Sequence, residues 1–130
     1  NDITTTYTKQ ADFEKIVGNV DIIDYTSQIT KNTDVIASMW STNIRKVGHI
    51  VTFVINITVK AVSGYTVVLG TLPEGVRPSA SLSYNTLTNK GDACYIYIDS
   101  DGKFGISKIF ATVFTANDGV RFCANYITEE

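Results

Sequence analysis

The stretch HIVTFVINITVKAV, residues 49–62, decides the fold class of this chain. Apolar side chains occupy every second position from Val51 to Ala61, and the positions between them are polar except for Val54. This period of two, dominated by β-branched residues, is typical of a β-strand. One face of the strand is buried and the other is solvated, as in an antiparallel sheet.

Further strands are predicted downstream of this stretch, separated by short turn signals. They are TVVLGTL at 66–72, SASLSYNTLT at 79–88 as a polar strand or loop, ACYIYID at 93–99, KFGIS at 103–107, KIFATVFT at 108–115 and VRFCANYIT at 120–128. The Asp-Gly pair at 101–102 is a strong hairpin signal. Turn signals at a spacing of roughly 8–12 residues predict an all-β, antiparallel β-sandwich of the jelly-roll or Greek-key kind.

The first part of the chain, residues 1–39, carries weaker signals. ADFEKIVGNV, residues 11–20, has apolar residues at helical spacing and predicts a short helix, whereas DIIDYTSQI, residues 21–29, predicts a strand. KNTDVIASMW, residues 31–40, has no clear period. Because 130 residues suit one domain, we predict a single β-sandwich domain over residues 1–130.

Both prolines of the chain lie in GTLPEGVRPS, residues 70–79. Pro73 ends a strand because it fixes φ and has no N–H donor. Gly75 supplies a positive φ for a turn, and the residue before Pro78 favours extended backbone. The segment is therefore predicted to be a stiff corner that links two strands and carries no chemistry of its own.

The composition narrows the classes of partner. Charged residues make up 18% of the chain, against about a quarter in typical domains, and the net charge is −2. This deficit favours a buried oligomer interface slightly over the alternative that Thr, Ser and Asn cover the solvated faces. The sequence contains no run of Lys or Arg, so nucleic-acid binding is not expected. It also contains no apolar stretch of ~20 residues, so membrane insertion is not expected.

Candidate catalytic groups are few. His49 is the only histidine, and no nucleophile motif accompanies it. Two pairs of carboxylates could be considered for acid–base chemistry, Asp99 with Asp101 and Asp92 with Asp118. Asp99 and Asp101 lie in DSDG, where Asp side chains commonly cap their own turn, and the glutamate of an EF-hand loop is missing. We expect no catalytic residues and no enzymatic activity.

Cofactors and metals are not expected either. With one histidine and the separated cysteines Cys94 and Cys123, soft metal ligands are too few for a zinc site. The cysteines lie in apolar runs as small buried side chains do, and a bridge between them requires neighbouring strands. Asn56 begins an Asn-Ile-Thr sequon that would face solvent, although a chance occurrence is the better explanation because no signal sequence accompanies it.

Aromatic and polar side chains indicate a candidate saccharide-binding surface. Rigid aromatic rings stack on the apolar faces of sugars, while neighbouring polar groups bind the hydroxyls. The candidate residues are Tyr95, Tyr97, Tyr84, Asn85, Asp99 and Trp40. The alternatives are that the tyrosines pack at a sheet edge or a subunit contact, and that Trp40 belongs to the core.

WSTNIRKVGHIVTFVINITV at residues 40–59, followed by GTLPEGVRPS, resembles the C-terminal receptor-binding (head) domains of tail-fibre and baseplate proteins from phages of Gram-positive bacteria. In that family a "kvGdiV" strand precedes an "lP-gyrP" corner, an Asp-Gly hairpin and a final strand with an aromatic residue. DSDGKFGIS and RFCANYIT match the last two features, so the resemblance covers residues 40–127. His49 stands where aspartate is common, and Val76 stands where an aromatic residue is common.

The resemblance implies a homotrimer at the phage tail tip, part of the virion and assembled in the bacterial cytoplasm. Its partners would be other tail proteins and a host cell-surface saccharide, either cell-wall polysaccharide or teichoic acid, bound without cleavage. Sugar-contacting residues vary within this family, so none is assigned here by position. Two alternatives remain open: a structural baseplate or fibre module that docks a neighbouring tail protein, and an accessory carbohydrate-binding module of a lysin.

Overall fold

A computed structural model of the chain describes residues 21–130, and its regular structure is almost entirely antiparallel β-strand. The strands are β1 (Ile23–Asp24), β2 (Thr30–Lys31), β3 (Ile36–Val47), β4 (Ile50–Val59), β5 (Val62–Ser63), β6 (Thr66–Thr71), β7 (Leu82–Leu87), β8 (Ala93–Ile98), β9 (Lys103–Lys108), β10 (Val113–Phe114) and β11 (Gly119–Ile127). A 3-10 turn, Thr26–Gln28, separates β1 from β2, and these described residues contain no α-helix. The all-β prediction is confirmed, whereas the predicted helix at 11–20 lies outside the described residues.

The strands form two larger sheets and one small one. The first has four strands in the order β1-β3-β4-β11, the second has five in the order β2-β6-β9-β8-β7, and β10 pairs with β5. In the five-stranded sheet, β7, β8 and β9 are consecutive neighbours, and β6 lies beside β9. This order is that of a Greek key.

Strand β4 is the central strand of the core, as its alternation predicted. Its inward side chains, from Val51 through Phe53 and Ile55 to Val59, are almost completely buried. The ring of Phe53 meets that of Phe104 on β9 edge to face, with 5.4 Å between their centroids. Inward side chains of both larger sheets therefore form one hydrophobic core.

The sequence-based assignment of strands needs correction at three places. Residues 21–29 do not form one strand, because the Asp24 Oδ1 atom accepts a hydrogen bond from the Thr26 amide at 2.9 Å and the chain turns there. KIFATVFT is not one strand either, since β9 ends at Lys108 and β10 begins at Val113. Strand β3 was not predicted because register shifts at Ile36/Ser38 and Trp40/Asn43 interrupt its alternation.

The corner at residues 70–79 closes one end of the core. It connects β6 to β7, as predicted, and Val76 at its centre is fully buried. The Tyr126 hydroxyl donates a hydrogen bond to the Val76 carbonyl, and the Thr128 hydroxyl donates to the Arg77 carbonyl at 2.6 Å. Gly75 has a φ of +102°, and a Cβ atom there would lie 2.9 Å from the Tyr25 hydroxyl. The corner is thus tied to the chain's last strand.

The two cysteines lie on different sheets. Cys94 is buried on β8, whereas Cys123 is exposed on β11, and both are free thiols. Cys94 is the small buried side chain that the sequence predicted. Cys123 departs from that prediction because its position on β11 alternates with inward residues and therefore faces solvent.

Candidate functional site

The predicted saccharide-binding residues do not form one site. Asn85, Tyr95 and Tyr97 share the outer face of the five-stranded sheet, which we call the tyrosine face. Tyr84 lies on the opposite face of that sheet, and Asp99 lies in the turn between β8 and β9. Trp40 belongs to the four-stranded sheet.

On the tyrosine face, the Tyr97 side chain lies flat against the neighbouring strands of its own sheet. Tyr97 lies opposite Gly105, where a Cβ atom would stand 2.5 Å from the tyrosine hydroxyl. That hydroxyl donates a long hydrogen bond of 3.4 Å to the Val67 carbonyl, and burial raises the pKa of Tyr97 to about 12. Tyr95 and Asn85 are cross-strand neighbours, and their side chains have no hydrogen-bond partner within residues 21–130. This face therefore offers a ligand mainly Tyr95 and Asn85.

Tyr84 and Asp99 have mainly structural surroundings. The Tyr84 ring packs against the core and against Phe122, with 5.1 Å between ring centroids. The Asp99 amide and carbonyl both make hydrogen bonds of the hairpin turn. The Asp101 carboxylate accepts a hydrogen bond from the Lys103 amide at 3.1 Å, which confirms the turn chemistry predicted for DSDG.

Trp40 is 53% exposed, so the alternative that it belongs to the core is wrong. The cause is a β-bulge in β3: the register advances from Trp40 opposite Asn56 to Asn43 opposite Val54. Ser41, inside the bulge, has a φ of +41°. The extra residue resets the alternation, so that the flanking residues pack inward while the indole points outward.

An open depression of about 800 Å³ lies beside the indole. We call it the Trp40 depression. Trp40, Asn56 and Arg121 stand in one cross-strand row along it, because Asn56 on β4 pairs with Trp40 on β3 and with Arg121 on β11. An aromatic ring, a carboxamide and a guanidinium are thus presented side by side on three neighbouring strands.

The floor of the depression contains an unsatisfied polar atom. The Thr58 Oγ1 atom is buried and has no hydrogen-bond partner within the described part of the chain. Gly119 lies directly opposite, where a Cβ atom would come within 2.8 Å of the Thr58 side chain. Buried hydroxyls are normally hydrogen-bonded, so the Thr58 hydroxyl is an exception among the described residues.

A buried ion network supports one wall of the depression. The Lys108 ammonium lies 2.7 Å from Asp118 and 3.4 Å from Asp92, and Lys90 lies 3.0 Å from Asp118. Burial by itself raises the pKa of Asp118, but hydrogen bonds from Lys108, Thr115 and Lys90 outweigh it and lower the pKa to about 2. Asp92 and Asp118, which the sequence offered as a pair for acid–base chemistry, are therefore part of a structural ion network.

The wall itself is built from two loops. The Asn89 carboxamide donates to the Asn117 carbonyl at 3.0 Å and accepts from the Gly119 amide at 3.0 Å. Asp118 lies between Asn117 and Gly119 in the sequence, and its carboxylate is paired with Lys108 and Lys90. The loops at 88–89 and 117–119 are thereby held together at the rim of the depression.

His49 lies away from these groups. It occupies the turn between β3 and β4, and its Nδ1 atom is 3.0 Å from the Thr128 carbonyl. Within residues 21–130, no group of three or more His, Cys, Asp or Glu side chains is arranged to hold a metal ion. In the same residues, no helix has the length and apolar character needed to cross a bilayer.

The sequence had indicated only part of this depression. Trp40 was a candidate, and Asn56 was expected to face solvent, but Thr58 and Arg121 were not singled out. Their signal is the presence of polar residues at several outward positions of β4 and β11, and it becomes informative only once the strand register is known. The sequence matches no protein-family model and no curated protein.

Proposed function

We propose that this chain is the receptor-binding domain of a phage tail and attaches, without cleavage, to a saccharide on the host cell surface. The observation that carries the binding function is the half-exposed Trp40 in a row with Asn56 and Arg121. An indole packs on the apolar face of a sugar, while an amide and a guanidinium bind its hydroxyls. The phage assignment draws on the resemblance of residues 40–127, and the saccharide is cell-wall polysaccharide or teichoic acid.

The proposal includes a finer architecture. The two larger sheets would pack face to face as a β-sandwich, which agrees with the contact between Phe53 and Phe104. Three copies would assemble as a homotrimer in the virion, which agrees with the low charged fraction of 18%. Three weak sites that act together gain avidity by about 10²–10⁴ over one site.

A second candidate function is a structural module that docks another tail protein. It is favoured by Phe110, which is 88% exposed in the connection between β9 and β10, next to the exposed Ile109. Aromatic residues are enriched in the centres of protein interfaces. The two functions use different surfaces, so substitutions separate them.

The test is binding of the fluorescently labelled domain to a panel of Gram-positive cells, with its mass measured by light scattering. We expect a trimer that decorates some cells and is displaced by their purified cell-wall saccharide. Trp40→Ala should weaken binding by about tenfold per site, since an aromatic platform contributes roughly that much. Phe110→Ala is the matched control and should bind as the parent does.

Two outcomes contradict the proposal. One is a folded domain that binds no cell in the panel, which would favour the structural module and direct the search to a protein partner. The other is cell binding that survives Trp40→Ala but is lost with Phe110→Ala, which would move the receptor contact from the Trp40 depression to the surface around Phe110.

A further inference from the structure

We infer that the Trp40 depression takes a sugar that carries an anionic group, a carboxylate or a phosphate ester, and that Arg121 selects it. This inference rests on the proposed function, because it names the ligand class of the same site. It comes from the charges around the depression and from the partners of the chain's arginines.

Arg121 is the arginine that has no partner among residues 21–130. The chain has three arginines. Arg45 lies 3.8 Å from the Asp24 carboxylate, and the Arg77 Nε atom donates to the Leu72 carbonyl at 3.1 Å. The Arg121 guanidinium has neither a salt bridge nor a hydrogen bond within residues 21–130, although it lines the depression. Its fork of N–H donors is therefore available to an external acceptor.

The surroundings of Arg121 favour an anion. Arg121 is the single ionisable side chain in the lining of the depression. Asp118, which lies between the lining residues Asn117 and Gly119 in the sequence, has a side chain that is 1% exposed and is paired with both Lys108 and Lys90. The described lining contains no exposed carboxylate that would compete for the guanidinium. A carboxylate or phosphate of a ligand can therefore form a bidentate contact with it.

The spacing suits one sugar residue with its substituent. Trp40 and Arg121 flank β4 on either side, so two strand spacings, roughly 10 Å in all, separate their backbones. A pyranose ring stacked on the indole would place an exocyclic anion beside the guanidinium. Asn56 lies between them in the same cross-strand row.

Trp40 is the only tryptophan of the chain, so its fluorescence measures occupancy of this depression directly. The probes are an oligogalacturonate, its fully methyl-esterified form with the same backbone and no charge, and a glycerol phosphate oligomer. The two anionic probes separate a carboxylate from a phosphate as the preferred group. The variants are Arg121→Gln and Arg121→Lys, with Arg45→Gln as the matched control on the same sheet.

We expect at least one anionic probe to bind about tenfold more tightly than the neutral ester. Arg121→Gln should bring that probe to the level of the ester, whereas Arg121→Lys should keep part of the preference. Arg45→Gln should stay within about twofold of the parent, since its ion pair is exposed. Raising the salt concentration should weaken the anionic probe and leave the ester unchanged.

The outcomes separate this inference from the proposed function. If the ester binds as tightly as both anionic probes and Arg121→Gln changes nothing, the inference is overturned and saccharide binding stands. Equal losses in Arg121→Gln and Arg45→Gln would mean unspecific attraction and would also overturn it. If no probe of either charge changes the fluorescence of the folded protein, and no cell is bound, both proposals fail.

Discussion

Asp118 is a buried carboxylate that belongs to an ion network. It is buried together with Lys108, and their side-chain charges are 2.7 Å apart. Such a pair adds little net stability over apolar residues, but removing one partner leaves a buried charge uncompensated. The Lys108 ammonium also lies 5.0 Å from the centre of the Phe114 ring, which adds a cation–π contact. Since the network anchors the wall of the Trp40 depression, its protonation affects both stability and the site.

Acid should therefore destabilise the protein through Asp118. The pKa of this carboxyl is lowered from 3.8 to about 2, so the folded state binds its proton less readily than the unfolded state does. Its stabilisation is fully present above the unfolded pKa and is lost as the pH falls through the folded pKa. We expect a loss of about 2 kcal/mol in the free energy of unfolding between about pH 5 and pH 2, measured by urea titrations.

Two variants check the assignment to Asp118. Asp118→Asn should cost about 3–5 kcal/mol at neutral pH, because Lys108 keeps its buried charge, and this variant should lose most of the acid dependence. Asp101→Asn is the control, since Asp101 and Lys103 form an exposed pair at 4.0 Å, and it should cost less than about 1 kcal/mol. An unchanged acid dependence in Asp118→Asn would contradict the assignment.

At the scale of the element, β4 could be predicted from the sequence and β3 could not. The inward residues of β4 alternate without interruption, so the pattern and the buried face coincide. Strand β3 contains two register shifts, and each one breaks the period of two that the eye or any pattern search follows. The same bulge explains why the sequence suggested that Trp40 could belong to the core. The indole points outward because of an extra residue in β3, and the sequence pattern does not reveal that residue. The tyrosine face, by contrast, followed from alternation alone.

The bulge at Ser41 should therefore control both stability and the direction of the indole. Its φ of +41° is left-handed, which glycine adopts freely and a β-branched residue resists. We expect Ser41→Gly to leave the free energy of unfolding within about 0.5 kcal/mol of the parent and Ser41→Val to lower it by about 1–3 kcal/mol. Only Ser41→Val should shift the Trp40 emission. Equal stabilities for the two variants would show that backbone strain at this position is unimportant.

At the scale of the whole molecule, the corner and the last strand lock one end of the core. Val76 is buried, and the residues that bind the corner are about fifty positions further along the chain, on β11 and just after it. The Arg77 amide also donates to the Glu130 carboxylate at 3.1 Å. These contacts join the middle of the β6–β7 connection to residues 126–130, so opening the corner exposes the core shared by both sheets.

The last prediction concerns this long-range lock. Tyr126→Phe removes the donor to the Val76 carbonyl and leaves that carbonyl buried, which should cost about 1–3 kcal/mol. Trp40 lies near the other end of the same sheet, since Trp40 pairs with Asn56 whereas Tyr126 pairs with Val51. Those partners are five positions apart on β4, roughly 17 Å of strand. If the core unfolds as one unit, the loss at the corner must destabilise the surroundings of the indole equally.

Urea titrations should therefore show the same lowered midpoint whether unfolding is followed by Trp40 fluorescence or by far-ultraviolet circular dichroism. Tyr65→Phe is the matched control, because Tyr65 is exposed and its substitution should leave both midpoints unchanged. A variant whose circular dichroism changes early while the Trp40 transition keeps the parent's midpoint would contradict the single core. In that case the corner would open locally, and the Trp40 depression would stay intact without it. Equal shifts of the two midpoints would mean that the corner at residues 70–79, which contains both prolines, stabilises the Trp40 depression through the shared core.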